Sequence, residues 1–405
     1  MKKESIKNII KKYKTQLKEV IINDNLLENI DYLIASQGFS NKSILLVSDN
    51  NLEEITNNLI KNIKKNKVSK LILQNPVADD KNIDIITKNI NDIDLILAVG
   101  SGTINDLCKI TSYQNNINYM IFATAASMNG YASANASISV KNHKKSLKAQ
   151  QPLAIFCDLG ILSNSPIDLI KAGIGDSLCY YSCYFDWFLS HLILKTDFNE
   201  ELFHILAPYQ DQLIKYNKKH FHNKDFIQNL IEILIISGLT MYIGKGSYSA
   251  SQSEHLIAHF LDMKYPDLMD KYFHGQKIAV TTITTMQKQN EFLQKGNFNF
   301  TSYDYSLDYF VKLFNSDKVL AKECFLETKN KSKIVKNKGQ ILEINKLQSI
   351  LRKTAINIDD LLRIYQNFEL FKDYSDLNIN KDAYLEAVEN AHLIRNRFTI
   401  LDIIF

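Results

Sequence analysis

The stretch SEHLIAHFLDM at 253–263 sets His255 and His259 four residues apart, on one face of a helix. YFHGQKIAV adds His274 at the start of another helix, beyond the breaker Pro266. AGIGDSLCYY adds Asp176, just after two glycines and at the beginning of a helix. Two histidines and a carboxylate that leave a coordination position open suit a catalytic divalent metal. The plain alternative is a histidine pair on a surface or in a core, with an aspartate facing a helix dipole. A second pattern is LILAVGSGTINDLCKIT at 95–111, where an apolar run ends in Gly-Ser-Gly and a helical pattern follows at once. Glycines let backbone N–H groups approach an anion, and a helix N-terminus presents free N–H donors, so the pattern suits a phosphate. A tight strand-to-helix turn uses glycines in the same way.

These residues need a frame. Up to about residue 160, short apolar runs alternate with helical patterns: strands at 43–50, 70–76, 95–102, 119–127 and 152–158, helices at 52–65 and 80–90. Continuous apolar strands between helices predict a parallel sheet covered on both faces, with ligands at the carboxyl ends of the strands. Asp49, the turn at 100–102 and the loop at 123–127 then share one sheet edge. Beyond residue 160 the pattern turns helical, with elements at 166–192, 199–216, 225–242, 250–262, 274–294, 304–315, 343–352, 357–368 and 381–395. With only five prolines in 405 residues, long helices are expected there. The basic run at 328–340 reads as a solvated loop. The fold class is therefore α/β at 1–162 followed by an all-α region at 163–405.

Bulk properties narrow the function classes. A hydrophobic content of 45% with 23% charged residues is that of a globular protein with a sizeable core. A net charge of +4 provides no strong pull toward nucleic acid or an acidic membrane. No continuous run of about 18 apolar residues is present, so no membrane span is expected. The basic segment at 1–21 reads as an amphipathic helix rather than a signal peptide. Five cysteines without a CxxC pair read as reduced core residues of a cytoplasmic protein.

Taken in order, GSGTINDLCK, TAASMNGYASANASI, PLAIFCDLGIL, AGIGDSLCYYSCYFDW, SEHLIAHFLDM, FHGQKIAV and the tail LIRNRFTILDII resemble the sn-glycerol-1-phosphate dehydrogenases, especially the bacterial type. These belong to the dehydroquinate synthase-like and iron-type alcohol dehydrogenase superfamily. The resemblance spans roughly 40–280 and returns at 385–405. It implies a Rossmann-like dinucleotide-binding domain, an α-helical metal- and substrate-binding domain, an active site in the cleft between them, and a homodimer. It implies NAD(P)H-linked, metal-dependent interconversion of dihydroxyacetone phosphate and sn-glycerol 1-phosphate. By position, Asp176, His255 and His274 match the three metal ligands, for zinc or nickel, and His259 a histidine beside the substrate that relays a proton. Gly102, Thr103, Ile104, Asn105 and Asp106 match the pyrophosphate loop. Thr124, Ala125, Ser127 and Ser133 match cofactor contacts in the next loop. Asp49 matches the acid on the adenosine ribose, which favours NAD over NADP.

One departure stands out. The family loop usually reads Thr-Ala-Pro-Ser-Met-Asp-Gly, whereas this chain has Ala126 and Asn129 at the third and sixth places. Asn129 keeps the size and an acceptor of the substrate-binding aspartate and loses its charge. Either it makes the same hydrogen bond, or the substrate is glycerol or another polyol phosphate. A non-catalytic nucleotide-binding descendant is a third reading, against which the retained ligand positions argue. For the substrate phosphate, Lys144, Lys145 and Lys148 or Arg395 and Arg397 are the candidate cations. Solvated lysines and an arginine pair bridging the domains are the alternative.

Overall fold

A computed structural model of the chain describes residues 3–140, 143–338 and 343–404. Its six-stranded sheet has the order β1-β8-β5-β4-β2-β3, built from β1 (Glu19–Asn23), β2 (Ser43–Asp49), β3 (Lys67–Leu73), β4 (Leu95–Gly100), β5 (Asn118–Ala123) and β8 (Ala154–Asp158). All five pairings are parallel. The inner strands β4 and β8 are buried at every residue, as a sheet covered on both faces requires. The edge strand β3 carries exposed lysines, which discourage edge-to-edge pairing. Leu46, Leu97, Val99, Phe122 and Phe156 form one continuous core with Ile30 and Ile34. A separate two-stranded sheet joins β6 (Asn135–Val140) to β7 (His143–Lys148).

The helices that accompany these strands are α1 (Ile6–Tyr13), α2 (Ile30–Ser36), α3 (Glu53–Asn62), α4 (Asp80–Thr87), α5 (Gly102–Gln114) and α6 (Leu159–Ser163). The expected helix at 1–21 is thus cut short. Ser5 caps α1, Lys14 ends it in the left-handed conformation, and the β-branched run Val20–Ile22 becomes the edge strand β1 against β8.

The chain then turns helical through α7 (Ile167–Leu194), α8 (Glu201–Leu213), α9 (Lys224–Ile243), α10 (Ser253–Lys264), α11 (Pro266–Met269) and α12 (His274–Phe292). It continues through α13 (Leu307–Leu313), α14 (Lys318–Lys338), α15 (Ile344–Leu351), α16 (Ile358–Phe368) and α17 (Lys381–Asn390). A short pair joins β9 (Asn299–Phe300) and β10 (Ile403–Ile404). The run at 328–338 is the second half of α14 and not a loop, with Lys331 fully buried; 339–340 lie outside the described residues.

Two compact units emerge. The first is Met1–Val140, Lys145–Ile174 and His204–Gly246; the second is Lys141–Lys144, Gly175–Phe203 and Ser247–Phe405. Helix α9 therefore groups with the sheet, where the sequence alone suggests a single boundary after residue 162. α9 is long and apolar enough by composition to cross a membrane, and most of it is buried as a core helix of the first unit. It packs closely. A Cβ at Gly238 would lie 2.8 Å from the Ala132 nitrogen and 2.9 Å from that of Ser133.

Candidate active site

In the second unit, three elements bring the expected ligands together. Asp176 lies on α7, His255 on α10 and His274 at the first residue of α12. The two glycines before Asp176 do not open a helix, as the sequence suggests. They lie inside α7, where Gly175 permits close approach: a Cβ there would collide with the Gly275 carbonyl and lie 2.9 Å from the Ala279 side chain. This approach carries Asp176 to the start of α12. Its Oδ1 is 3.5 Å from His255 Nε2 and 3.9 Å from His274 Nε2. One donor atom from each of the three residues lies within 4.8 Å of the others. His259, one turn along α10, has its ring centroid 5.9 Å from His255 and 5.8 Å from His274.

The donor set fits a divalent ion. Imidazole nitrogens and one carboxylate are ligands for borderline transition metals, and the outer side of His255 is already fixed. Its Nδ1 meets Glu254 Oε1 at 2.8 Å, which leaves Nε2 facing Asp176. Glu254 is wholly buried and accepts further bonds from the Gln252 N–H at 2.6 Å, Ser182 Oγ at 2.7 Å and Cys183 Sγ at 3.2 Å. Burial alone would raise its pKa, but the His255 hydrogen bond and charge, with the Gln252 and Ser182 donors, hold it at about 2. Burial also opposes charge on His255, yet Asp176 and Glu254 outweigh it and hold that ring above the usual histidine range. For His274, burial outweighs the Asp176 charge and lowers the pKa to about 4. Burial, then the charges of Arg395, His274, His255 and Lys144, push His259 well down. His259 Nδ1 is buried and has no hydrogen-bond partner among the described residues. Glu254 is the residue that sequence reasoning missed. The only signal was an acid immediately before a candidate ligand.

In the first unit, the sheet order reverses between β2 and β4: the chain goes outward to β3, then returns to the other side of β2. Ligands of open α/β sheets bind at such a switch point, beyond the strand carboxyl ends. Asp49 ends β2, and Gly100 ends β4 directly before Gly102 and the N-terminus of α5. Gly100 pairs with Ala123 of β5, so Thr124 and the loop behind it share this edge. Asp49 Oδ1 caps the next turn through the Asn51 N–H at 2.8 Å. A Cβ at Gly102 would sit 3.0 Å from the Met128 side chain, and one at Gly100 2.8 Å from Ile104. Thr103 is half-buried, and Ala125 and Ser127 are buried. The Ala125 carbonyl accepts the Tyr131 hydroxyl at 2.6 Å.

Three of the expected cofactor residues are engaged inside the protein. Lys109, fully buried, donates to Asp106 Oδ1 at 3.2 Å, the Gly130 carbonyl at 2.7 Å, Ser133 Oγ at 3.1 Å and the Asn135 carbonyl at 3.0 Å. Asp106 Oδ2 accepts the Ser137 N–H at 3.0 Å, and Asn105 Nδ2 reaches the Gly130 carbonyl at 3.5 Å. Asn129 is buried in the loop that this network ties down. Lys109 carries the network and was not read from the sequence, because a Lys three residues after an Asp on a helix looks like a surface pair.

Comparison with known proteins agrees. The family model of the iron-containing alcohol dehydrogenases matches residues 21–166. A glycerol-1-phosphate dehydrogenase [NAD(P)+] of Geobacillus stearothermophilus is 30% identical over 217 residues, 51% of this chain and 52% of that protein, so the chain spans about half the length of this relative. One of Thermococcus kodakarensis is 30% identical over 272 residues, covering 66% of this chain and 76% of the relative. In fold, the chain is similar to the crystal structure of a probable glycerol dehydrogenase from Sinorhizobium meliloti 1021, with a TM-score of 0.62 at 18% identity over 95% of this chain and 93% of the other. With the parallel sheet, the helical region that follows it in the sequence and identity at this level over three quarters of the Thermococcus relative, the chain belongs to the glycerol-1-phosphate dehydrogenase family of the iron-containing alcohol dehydrogenases.

Proposed function

We propose that this chain interconverts dihydroxyacetone phosphate and sn-glycerol 1-phosphate, using a nicotinamide cofactor and one divalent metal, zinc or nickel. The observation that carries the reading is the cluster of Asp176, His255 and His274, with Glu254 behind it, in a chain whose relatives bear that activity in their names. The metal supplies Lewis acidity to the C2 oxygen and the nicotinamide supplies the hydride. The protein's own part is positional. Asp176, His255 and His274 hold the metal, and Glu254 keeps the His255 proton on Nδ1. His259 hydrogen-bonds the substrate through Nδ1 and passes a proton toward water.

In the first unit, the N-terminus of α5 at Gly102, Thr103 and Ile104 takes the pyrophosphate, with Thr124, Ala125 and Ser127 alongside. Asn105, Asp106 and Ser133 contribute by holding this loop through Lys109 and Gly130. Asp49 faces the adenosine ribose, which favours NAD. Five free, buried cysteines support a reducing compartment, the cytoplasm. The homodimer is carried over from the family resemblance. Asn129 favours a second reading, in which the substrate is glycerol or another polyol phosphate. The deciding experiment is NADH oxidation by metal-loaded protein with dihydroxyacetone phosphate, unphosphorylated dihydroxyacetone and a panel of phosphorylated ketones. Preference for dihydroxyacetone phosphate supports the first reading, and turnover of another ketone alone refutes it.

A further inference from the structure

The three helices that carry the candidate ligands meet a second time, away from the ligands, within the second unit. Asp186 lies on α7 beyond Asp176, about 15 Å further along the helix. It is wholly buried, and four donors converge on its carboxylate. Oδ2 accepts the backbone N–H of Ser253 at 3.2 Å and the Ser253 hydroxyl. Oδ1 accepts the Gln289 side-chain amide at 3.0 Å and the Ile400 N–H at 3.2 Å. Gln289, on α12, gives its other amide hydrogen to the Ser182 carbonyl at 3.0 Å, so it grips α7 at two places one turn apart. The Ser182 hydroxyl in turn donates to Glu254, the acid that orients His255. The segment with Ile400 is itself clamped, since Asp402 pairs with the buried Lys331 of α14 at 2.7 Å.

No cation pairs with Asp186 among the described residues; all four of its donors are neutral. A buried carboxylate held in this way carries a desolvation penalty that a packed apolar side chain would avoid. What the carboxylate adds is direction. It only accepts, so it satisfies donors from α10, α12 and the tail at once, whereas an amide would set its own hydrogens against one pair of them. α7 and α12 touch at Gly175 and Gly275 and again at Asp186 and Gln289, and two fixed points define the register of a helix pair. Ser253 stands two residues before His255, so its two bonds to Asp186 fix the first turn of α10, from which His255 reaches Asp176. We propose that Asp186, with Gln289, is a positioning residue of the metal centre, setting the register of α7, α10 and α12 so that Asp176, His255 and His274 converge. This deepens the functional reading above and rests on its metal ligands.

The test is titration of the chelator-treated full-length protein with Co2+, read by the d–d absorption of the bound ion and by competition with a chelator. Asp186→Asn keeps the shape of the side chain. It should weaken Co2+ affinity roughly tenfold or more and shift the d–d bands, which report coordination geometry. Gln289→Met should act in the same direction more weakly, and the two effects should not add, because both break one node. Thr328→Val is the control. It removes a buried hydrogen bond to the Leu393 carbonyl, elsewhere in the second unit, and should lower stability without altering the spectrum. A merely structural Asp186 would behave like that control. Should Asp186→Asn not fold, Ser253→Ala, which loses only the hydroxyl donor, carries the same test. Wild-type affinity with an unshifted spectrum in the folded variant would overturn the proposal and leave the metal reading standing. Co2+ binding that survives His274→Ala, or a wild type that binds no Co2+, would overturn both.

Discussion

The two candidate regions handle polar groups in opposite ways. Around the N-terminus of α5, Lys109 gathers Asp106, Ser133 and two carbonyls into a closed network. What remains for a ligand is backbone and shape. Around α10 and α12, side chains converge and stay partly uncommitted, with His259 Nδ1 facing no protein partner among the described residues. The first region is built to hold a loop still. The second is built to receive charge. Substitution of polar residues should therefore cost stability in the first region and ligand binding in the second.

The largest effect should follow His274→Ala. Most bound metal and nearly all turnover should be lost, while the melting temperature stays near wild type. Full metal content by elemental analysis would break the contrast at its strongest point. Next, Lys109→Met leaves the buried side of Asp106 and two carbonyls without their cation and should lower unfolding free energy by about 3 kcal/mol. Denaturant unfolding measures this, and NADH affinity should fall with it while metal content holds. Unaltered NADH affinity would mean that the network does not shape the nucleotide loop. Glu254→Gln should weaken metal affinity roughly 10- to 100-fold by releasing the orientation of His255. Competition with a chelator reads it, and no change would reduce Glu254 to packing. Smallest is Asn129→Asp, which should lower KM for dihydroxyacetone phosphate several-fold with less change in kcat, because a charge-assisted bond is roughly twice as strong as a neutral one. Steady-state kinetics decide it, and a change in kcat alone would place Asn129 outside substrate binding.

The legible parts of the sequence were those written in periodicity. Strands at the sheet centre are unbroken apolar runs, and the expected limits of β2, β4 and β8 lie within two residues of those observed, whereas the run expected to end at 127 leaves β5 at Ala123. The His255 and His259 spacing gave a true shared face. What escaped depends on tertiary context. Gly173 and Gly175 suggest a helix that begins at Asp176, yet both sit inside α7. A Cβ at Gly173 would collide with the Ala126 carbonyl, so these glycines record close approach rather than a turn. The edge strand β1 follows a lysine-rich helix, and its apolar run Val20–Ile22 is short enough to merge with that helix's own pattern. Lys331 lies in a run so basic that solvation was the natural reading, and only its partners in the tail explain its burial. Lys109 carries no local signal and Glu254 only its place before His255, since their roles are defined by atoms distant in sequence or by which way a side chain turns.

The contact between Gly175 and Gly275 has a consequence for how such a site can disappear from a lineage. Neither residue carries any chemistry, and Gly175 could become alanine through a single, mild exchange. The added methyl would act as a wedge between α7 and α12, moving Asp176 away from His274 while every ligand remained in the sequence. A descendant altered in this way would pass any inspection of its metal-binding residues and still be silent as an enzyme. In this chain, the site depends on the spacing between two helices as much as on the histidines they carry.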